Sequence, residues 1–291
     1  MKKREIPRLA LSLMLTLGAA VMLLPIVLTW IQSLMSEQEI ERNYKWIGQM
    51  VDTASGNGNV FANLKLLPDL LSFDPYLQVL VLSPKYLMLF WNSVFLVVPI
   101  VLGQAAVAGL AAYAFARLRF PGRDKLFLMY VMTMLMPFQV TLVPNYLIID
   151  SLGLMNRNAS IILPGIFGAF GVFMMRQFMA HIPQAYAEAA KMDGAGHPTI
   201  FLRIVLPLAK SGFAALTVLL FADNWNMIEQ PLLFLQDADK VPLSLYLSRI
   251  DAESRGIGFA ASALYMLPMV LLFRYAESYF IEGIQQSGIK G

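Results

Sequence analysis

The chain has no cysteine, two histidines and few charged residues, and each scarcity excludes a kind of site. Without cysteine there can be no disulfide, thiolate metal site or cysteine nucleophile. His181 and His197 are too few for a histidine-based metal site, so we expect no metal and read both as solvated loop residues. Only 14% of the 291 residues are charged, against about 25% in an average soluble domain. This deficit indicates a membrane protein.

A nucleotide-binding loop is also missing. Proteins that cradle ATP phosphates often carry the pattern GxxxxGK followed by Ser or Thr. The stretch GAGHPT has no lysine after a glycine and does not match. We therefore expect no ATP hydrolysis and no enzymatic activity from this chain alone. A net charge of +3 is too small to suggest a nucleic-acid partner.

Long apolar runs fill about half of the chain, and a helix of about 20 apolar residues spans a membrane. The runs predict an all-α polytopic membrane protein with six transmembrane helices in one membrane domain. The first run could be a signal peptide, but it exceeds the usual apolar length of about 7–15 residues, which favours an uncleaved anchor. The candidate spans are residues 9–34, 87–116, 126–149, 159–179, 213–235 and 259–279.

Six spans place both termini on one side of the membrane. The larger share of the 22 lysines and arginines flanks the spans on that side, which is the cytoplasmic side by the positive-inside rule. The resulting organisation is a cytoplasmic N-terminus (1–8), a first span (9–34), an extracytoplasmic loop (35–86), a core with five spans (87–281) and a cytoplasmic tail (282–291).

Two outside loops are long. The first contains the turn-prone patch SGNGN and then apolar pieces, so we expect a small lid with short helices. The other long loop, from Asp237 to Arg255, is polar.

Polar groups interrupt the third and fifth spans. Carboxylates at membrane depth are costly and usually face a cavity or a partner. Asp223, Asn226 and Gln230 stand at i, i+3 and i+7, so a continuous helix would place them on one face. Carboxylates and amides bind hydroxyls, and aromatic rings pack on sugar faces. Alternatively, these groups only tie helices together, and Glu229 reaches interfacial water. The substrate-path candidates are Gln139, Asn145, Asp223, Asn224, Trp225, Asn226, Glu229 and Gln230.

The stretch EAAKMDGAGHPTIFLRIVLP, residues 188–207, is unusually polar for its surroundings. Pro183 suits the start of a helix that continues through QAYAEAAKM, and glycines at 194 and 196 are expected to stop it. Pro198 can begin a second helix, which we expect to end before Pro207. The pattern predicts a helix–turn–helix on the cytoplasmic face, for which a passive connector is one interpretation.

The spacing in this stretch resembles the EAA motif of ABC importer permeases. Glu188-Ala189-Ala190 is followed, after three intervening residues, by Gly194. Nine intervening residues separate Gly194 from Ile204, and one more separates Ile204 from Leu206-Pro207. Four further stretches look like the MalG-type branch of the carbohydrate-uptake permeases: AYAFARLRFPGR, MPFQVTLVPNYLI, FMMRQFMAHIP and the closing GIQQSGIKG. The resemblance extends from about residue 87 to the end.

The resemblance implies a type I ABC importer permease fold in a bacterial-type cytoplasmic (inner) membrane. The chain would bind no cofactor; ATP and Mg would bind to partner ATPase subunits. The implied partners are two such ATPases, a second, MalF-like permease, an extracytoplasmic solute-binding protein that contacts the loop 237–255, and membrane lipid. The implied cargo is a sugar, oligosaccharide or polyol. The residues that would couple to the ATPase are Glu188, Ala189, Ala190, Asp193, Gly194, Ile204, Leu206 and Pro207.

One departure from the family pattern concerns the fifth span, where Trp225-Asn226 is followed by Met227 instead of the common aspartate. Three alternatives stay open at the level of sequence. The protein could be an ion-coupled secondary carrier that uses Asp223 and Glu229, since such carriers place coupling groups near the midplane. It could be an ABC permease for a non-sugar polar solute, or a membrane scaffold without transport.

Overall fold

A computed structural model describes residues 8–44, 65–249 and 255–288, and every regular element in these residues is a helix. The residues 1–7, the SGNGN patch and the last three residues lie outside this description. The helices are α1 (Arg8–Gln32), α2 (Glu37–Tyr44), α3 (Asp74–Leu77), α4 (Pro84–Arg117), α5 (Arg123–Met134), α6 (Phe138–Ser151), α7 (Ala159–Ile166), α8 (Ala169–His181), α9 (Gln184–Met192), α10 (His197–Ile200), α11 (Leu206–Leu208), α12 (Lys210–Trp225), α13 (Glu229–Phe234), α14 (Leu243–Leu247) and α15 (Arg255–Gly288). Two π-helical segments, Gln78–Leu82 and Phe201–Val205, follow α3 and α10.

Among the described residues, four helices are long and apolar enough to cross a membrane, and two bent helix pairs bring the candidates to six if each pair is one span. The four are Ala10–Gln32, Pro84–Arg117, Ala159–His181 and Gly256–Tyr279. The bent pairs are Arg123–Met134 with Gln139–Ser151, at 100°, and His197–Leu208 with Lys210–Trp225, at 75°. The predicted all-α class with up to six spans is therefore confirmed.

The chain divides into two compact units. The first unit comprises Met1–Leu87 and Leu247–Leu267, and the second Met88–Tyr246 and Pro268–Gly291. The division has a physical reason, because the region after α1 builds a core of its own. This core contains Met35, Ile40 and Tyr44, packed against Ile31 and Phe259.

The first outside loop contains short helices, α2 and α3, as expected. A buried carboxylate holds the loop in place. Glu39, 7% exposed, accepts the backbone N–H of Asp69 at 2.8 Å and pairs with Lys65 at 2.9 Å. Hydrogen bonds to Asp69 first and Glu39 second raise the pKa of Lys65.

The third predicted span is not a continuous helix. α5 ends at Met134, and α6 begins at Phe138 after Pro137, which stands at the N-cap with φ −57° and ψ 136°. Because proline has no backbone N–H, it cannot continue the hydrogen bonding of α5. The prediction of one helix over 126–149 was wrong for this reason.

Candidate functional site

The EAA segment, residues 188–207, begins in a helix with no buried residue. This helix, α9, follows Pro183 at its N-cap and ends at Met192. Gly194 then has φ +79°. Its N–H donates to the carbonyl of Lys191 at 3.0 Å, and the N–H of Ala195 donates to that of Ala190 at 2.9 Å. This pair of hydrogen bonds is the Schellman motif. Glycine favours the motif because it adopts positive φ without strain.

The second arm of the segment is helical for longer than predicted. α10, the π-helical segment and α11 run from His197 to Leu208, so the prediction that this arm ends before Pro207 was wrong. Pro207 lies in the first turn of α11, directly after the π-helical segment, where its missing N–H is tolerated. Ile200, Phe201 and Val205 are buried and fix this arm to the second unit.

The end of α4 holds both arms. Arg117 donates from Nη2 to the carbonyl of Met179 at 2.5 Å and to the carbonyl of Ile182. Ile182 lies in the connection between α8 and α9. One turn earlier, the Tyr113 hydroxyl lies 3.0 Å from His197 Nδ1, and its ring packs against Phe201 with centroids 5.3 Å apart. Residues at i and i+4 lie on one helix face, so a single face of α4 positions the whole segment.

The outer surface of α9 combines unpaired acids with exposed apolar side chains. Within the described residues, Glu188 and Asp193 form no side-chain hydrogen bond or ion pair. Met192 is 90% exposed and Tyr186 is 53% exposed. Sequence reasoning missed both, although apolar residues on a short, otherwise polar helix were the available signal. The other coupling candidates vary in exposure: Ala189, Gly194 and Pro207 are exposed, whereas Ala190, Ile204 and Leu206 are half-buried.

The fifth predicted span breaks after Trp225. α12 ends there, and α13 begins only at Glu229. A continuous helix would need the N–H of residue 231 to donate to the carbonyl of Met227, and Pro231 has no N–H. That carbonyl instead accepts the hydroxyl of Ser244 at 2.5 Å. The prediction of one helix over 213–235 was therefore wrong.

Two asparagines fold back at the same break. Asn224 Nδ2 donates to the carbonyl of Leu220, and Asn226 Nδ2 to that of Ala222, both at 2.8 Å. Local side-chain bonds of this kind compete with the helical backbone pattern. Because the helix stops before position 226, the argument that Asp223, Asn226 and Gln230 share one helix face does not hold.

The break nevertheless gathers most of the path candidates around two cavities, of about 680 Å³ and about 820 Å³, which together we call the polar cavity. Asp223, Asn224 and Gln230 line both parts. Asn145 lines the first part, while Asn226 and Glu229 line the second.

Two candidates lie elsewhere. Trp225 is 2% exposed and stacks on Phe221, with ring centroids 5.0 Å apart, and meets Phe90 edge-on at 5.8 Å. Gln139 is exposed in the first turn of α6. Neither side chain lines the polar cavity, so the structure brings together six of the eight candidates and leaves these two apart.

Gln104, which sequence reasoning missed, lines the first part of the polar cavity from α4. Its side chain is only 5% exposed. It forms no hydrogen bond within the described residues. A Cβ at position 168 would lie 2.1 Å from Gln104 Nε2, so Gly168 makes room for the amide. The available signal was an amide within the apolar middle of a long helix.

The loop after α13 is organised by Asn156, a non-glycine residue with φ +57°. Its Oδ1 accepts the backbone N–H groups of Gln236, at 3.2 Å, and Asp237, at 3.1 Å. Asp237 in turn accepts the N–H of Asp239 at 3.0 Å. This bond, with the charge of Lys240 as a smaller cause, lowers the pKa of Asp237. Residues 250–254 of this loop lie outside the described part.

Comparisons with known proteins identify the family of this chain. The family described as "Binding-protein-dependent transport system inner membrane component" matches residues 83–284. The chain is 30% identical over 227 residues to the arabinooligosaccharides transport system permease protein AraQ of Halalkalibacterium halodurans, covering 77% of this chain and 81% of that protein. It is 30% identical over 299 residues to the sn-glycerol-3-phosphate transport system permease protein UgpE of Agrobacterium fabrum, covering 98% and 99%.

A solved structure shares the fold. It is a crystal structure of a bacterial ABC transporter involved in the import of the acidic polysaccharide alginate, with a TM-score of 0.76 and 24% identity over 96% of this chain and 99% of that one. The family match covers well over half of the chain and contains both the EAA segment and the polar cavity. The chain is therefore a multi-pass, non-catalytic member of the binding-protein-dependent transport system inner membrane components, the permease subunits of ABC importers.

Proposed function

We propose that this permease imports a carbohydrate and that its EAA segment transmits movement from a cytoplasmic ATPase. The observation that carries the proposal is α9, a nine-residue helix without a single buried residue. An isolated helix of this length is marginal in water. Its unpaired acids and exposed Met192 form a surface suited to another protein.

The segment can transmit movement because side chains of α4 contact it at both ends. Arg117 holds the entry to α9, and Tyr113 holds the start of the second arm through His197 and Phe201. A push on α9 therefore reaches α4. ATP can drive transport only if it favours one conformation of the complex over the other.

The complex contains further chains. The ATP and Mg bind to two ATPase subunits, one of which receives this EAA segment, and a second, MalF-like permease completes the membrane path. An extracytoplasmic solute-binding protein delivers the cargo and touches the loop 237–255. Both termini face the cytoplasm, as the distribution of lysine and arginine indicates.

The cargo is a sugar, oligosaccharide or polyol. The lining of the polar cavity supports this assignment, because carboxylate and amide groups bind hydroxyls from both donor and acceptor sides. A relative whose name specifies arabinooligosaccharides fits the same chemistry. Family membership favours the ATP-driven mechanism over an ion-coupled carrier that uses Asp223 and Glu229.

Reconstitution with the partner subunits tests the proposal. We expect no ATPase activity from the purified chain, and solute-stimulated ATPase activity from the full complex. Glu188→Lys should lower co-purification of the ATPase by roughly tenfold, since an interface charge reversal costs at least 1.4 kcal/mol.

Asp150→Lys is the matched control, because Asp150 is also exposed and its carboxylate has no partner within the described residues. It should leave ATPase binding intact. Equal ATPase binding by Glu188→Lys and wild type, with both chains inserted in the membrane, would disprove the docking role.

A further inference from the structure

The three similar proteins handle solutes of different charge by name: a neutral oligosaccharide, a phosphate ester and an acidic polysaccharide. Family membership therefore leaves open which charge class this chain accepts. The residues that line the polar cavity indicate which charge class of solute it can accept.

An unused hydrogen-bonding group marks the cavity as a ligand site. Gln104 is 95% buried, lines the cavity and has no hydrogen-bond partner among the described residues. The amide atoms of Gln104 are not among the fully buried polar atoms without a partner, so they reach the cavity and can bond to something that enters it. The absence of a side chain at Gly168 leaves the space in which the amide lies.

The charge of the cavity has one sign. Asp223 lines both parts and Glu229 lines the second, and neither forms an ion pair or side-chain hydrogen bond within the described residues. No Lys, Arg or His belongs to the described lining of either part. A phosphate or uronate group that entered would meet like charge without a neutralising cation, and such repulsion is stronger near protein than in bulk water.

The uncharged lining groups suit hydroxyls. Asn145, Asn224, Gln230 and Tyr130 add amides and a phenol to the Gln104 side chain. Amides donate and accept at once, and a carboxylate accepts from sugar hydroxyls. We infer that the polar cavity is a subsite for uncharged polyhydroxyl solutes, in which Gln104 contacts the solute and the carboxylates of Asp223 and Glu229 exclude phosphate esters and uronates.

This inference rests on the proposed function, yet its first test needs no transport. Because the chain has no cysteine, Thr133→Cys creates a single thiol in the lining of the first part. In the full complex, its labelling rates with a cationic and an anionic methanethiosulfonate are compared by mass analysis of this chain. Replacing Asp223 by Asn should lower the cation-to-anion rate ratio at least about threefold.

A matched control removes a carboxylate elsewhere. Asp150→Asn removes an exposed carboxylate that does not line the cavity, and the ratio at position 133 should stay unchanged. If Asp223→Asn leaves the ratio unchanged, or shifts it no more than Asp150→Asn does, the charge filter is disproved.

A second test uses solutes. Labelling of Thr133→Cys by the uncharged reagent N-ethylmaleimide is measured with arabinotriose or with glycerol-3-phosphate at equal concentration. Arabinotriose should slow labelling, and glycerol-3-phosphate should not. Gln104→Leu, which keeps the volume but removes the amide, should weaken protection by arabinotriose at least about threefold, because a hydrogen bond to an uncharged group is lost. Better protection by glycerol-3-phosphate than by arabinotriose would overturn the inference, as would full arabinotriose protection of Gln104→Leu.

The two proposals fail separately. ATP hydrolysis by the complex that responds to glycerol-3-phosphate but to no neutral sugar would overturn the charge filter while the permease function stands. A labelling ratio that depends on Asp223, in a complex whose ATP hydrolysis responds to no solute, would contradict the proposed function and leave the charge of the cavity established.

Discussion

Two helix interruptions in the second unit are built from different kinds of residue. At the end of α9, Gly194 adopts φ +79° and two N–H groups close onto the carbonyls of the helix they leave. At the end of α12, no glycine is present. The carbonyl of Met227, which Pro231 cannot serve, accepts a hydroxyl from Ser244, 17 residues further along the chain.

The difference teaches where a break can be seen in a sequence. The first break depends on the conformational freedom of one residue, so the glycine in the sequence predicts it. The second depends on a missing donor and on a distant hydroxyl that replaces it. The first interruption forms the candidate ATPase surface, and the second opens the polar cavity.

Replacing Gly194 by alanine should disturb the turn after α9 and have the largest expected effect on uptake. Positive φ costs an L-residue about 1–2 kcal/mol, so the turn that orients α9 is strained. We expect uptake by the full complex to fall roughly tenfold. Gly194→Asn should retain most of the uptake, because asparagine tolerates this conformation.

Gly153 is the matched control, since it has φ +66° and, like Gly194, no atom within 4 Å of an added Cβ. Gly153→Ala should cost similar stability and leave uptake nearly normal. Equal loss of uptake in both variants would mean that strain alone, and no coupling role, explains the effect.

The contact between α4 and the residues before α9 can be removed without changing the EAA segment itself. Arg117→Met deletes the donor to the carbonyls of Met179 and Ile182, and hydrogen bonds from charged groups contribute about 1.5–3 kcal/mol. We expect a lower unfolding temperature and weaker co-purification of the ATPase. Arg157→Met, at an exposed arginine outside the EAA segment whose guanidinium has no partner among the described residues, should change stability by less than about 0.5 kcal/mol. Similar behaviour of the two variants would refute the positioning role of Arg117.

A double-mutant cycle examines the second interruption. Ser244→Ala removes the donor to the Met227 carbonyl and should cost about 0.5–1.5 kcal/mol. Pro231→Ala supplies the N–H that a continuous helix would direct at the same carbonyl, so we expect Ser244→Ala to cost less in that background. Chemical unfolding of the four proteins gives the coupling energy. Strict additivity would contradict our account of the break.

The smallest expected effect concerns the loop beside the second interruption. The N–H of Asp239, followed by the charge of Lys240, lowers the pKa of Asp237. The carboxylate therefore stabilises the folded loop above its unfolded pKa, and this contribution is lost as pH falls through the lower, folded pKa. The difference in melting temperature between wild type and Asp237→Asn should shrink as the pH is lowered. A difference in melting temperature that stays constant with pH would contradict this role of the Asp237 carboxylate.

Much of the fold follows from residue types taken in order. The apolar runs predicted an all-α membrane protein with six candidate spans because each run has the length of a bilayer. Proline at position 183 predicted the start of α9, and glycine at position 194 predicted its end. The spacing from Glu188 to Pro207 predicted the family, while the roles of these residues in coupling stay predictions.

The residue types of the candidate solute path led us to side chains that line a cavity, but the predicted helix geometry of that path was wrong. Asp223, Asn224 and Gln230 were chosen because polar groups are costly in a membrane, and they do line a cavity. The helix face predicted for Asp223, Asn226 and Gln230 was wrong, because the helix ends at Trp225. The carbonyl of Met227 accepts its hydrogen bond from Ser244, outside the local sequence. Trp225 was chosen for its ring, but its neighbours Phe221 and Phe90 bury it.

The sequence by itself determined the apolar lengths, the glycine turn and the charges that flank each apolar run, because these depend on single residues and their spacing. Only the tertiary structure decided that the first outside loop packs into a core with Phe259, that Arg117 and Tyr113 hold the EAA segment, and that Gln104 lies unpaired beside Asp223. Such contacts join residues far apart in the chain, and their energies depend on distances that no local pattern specifies.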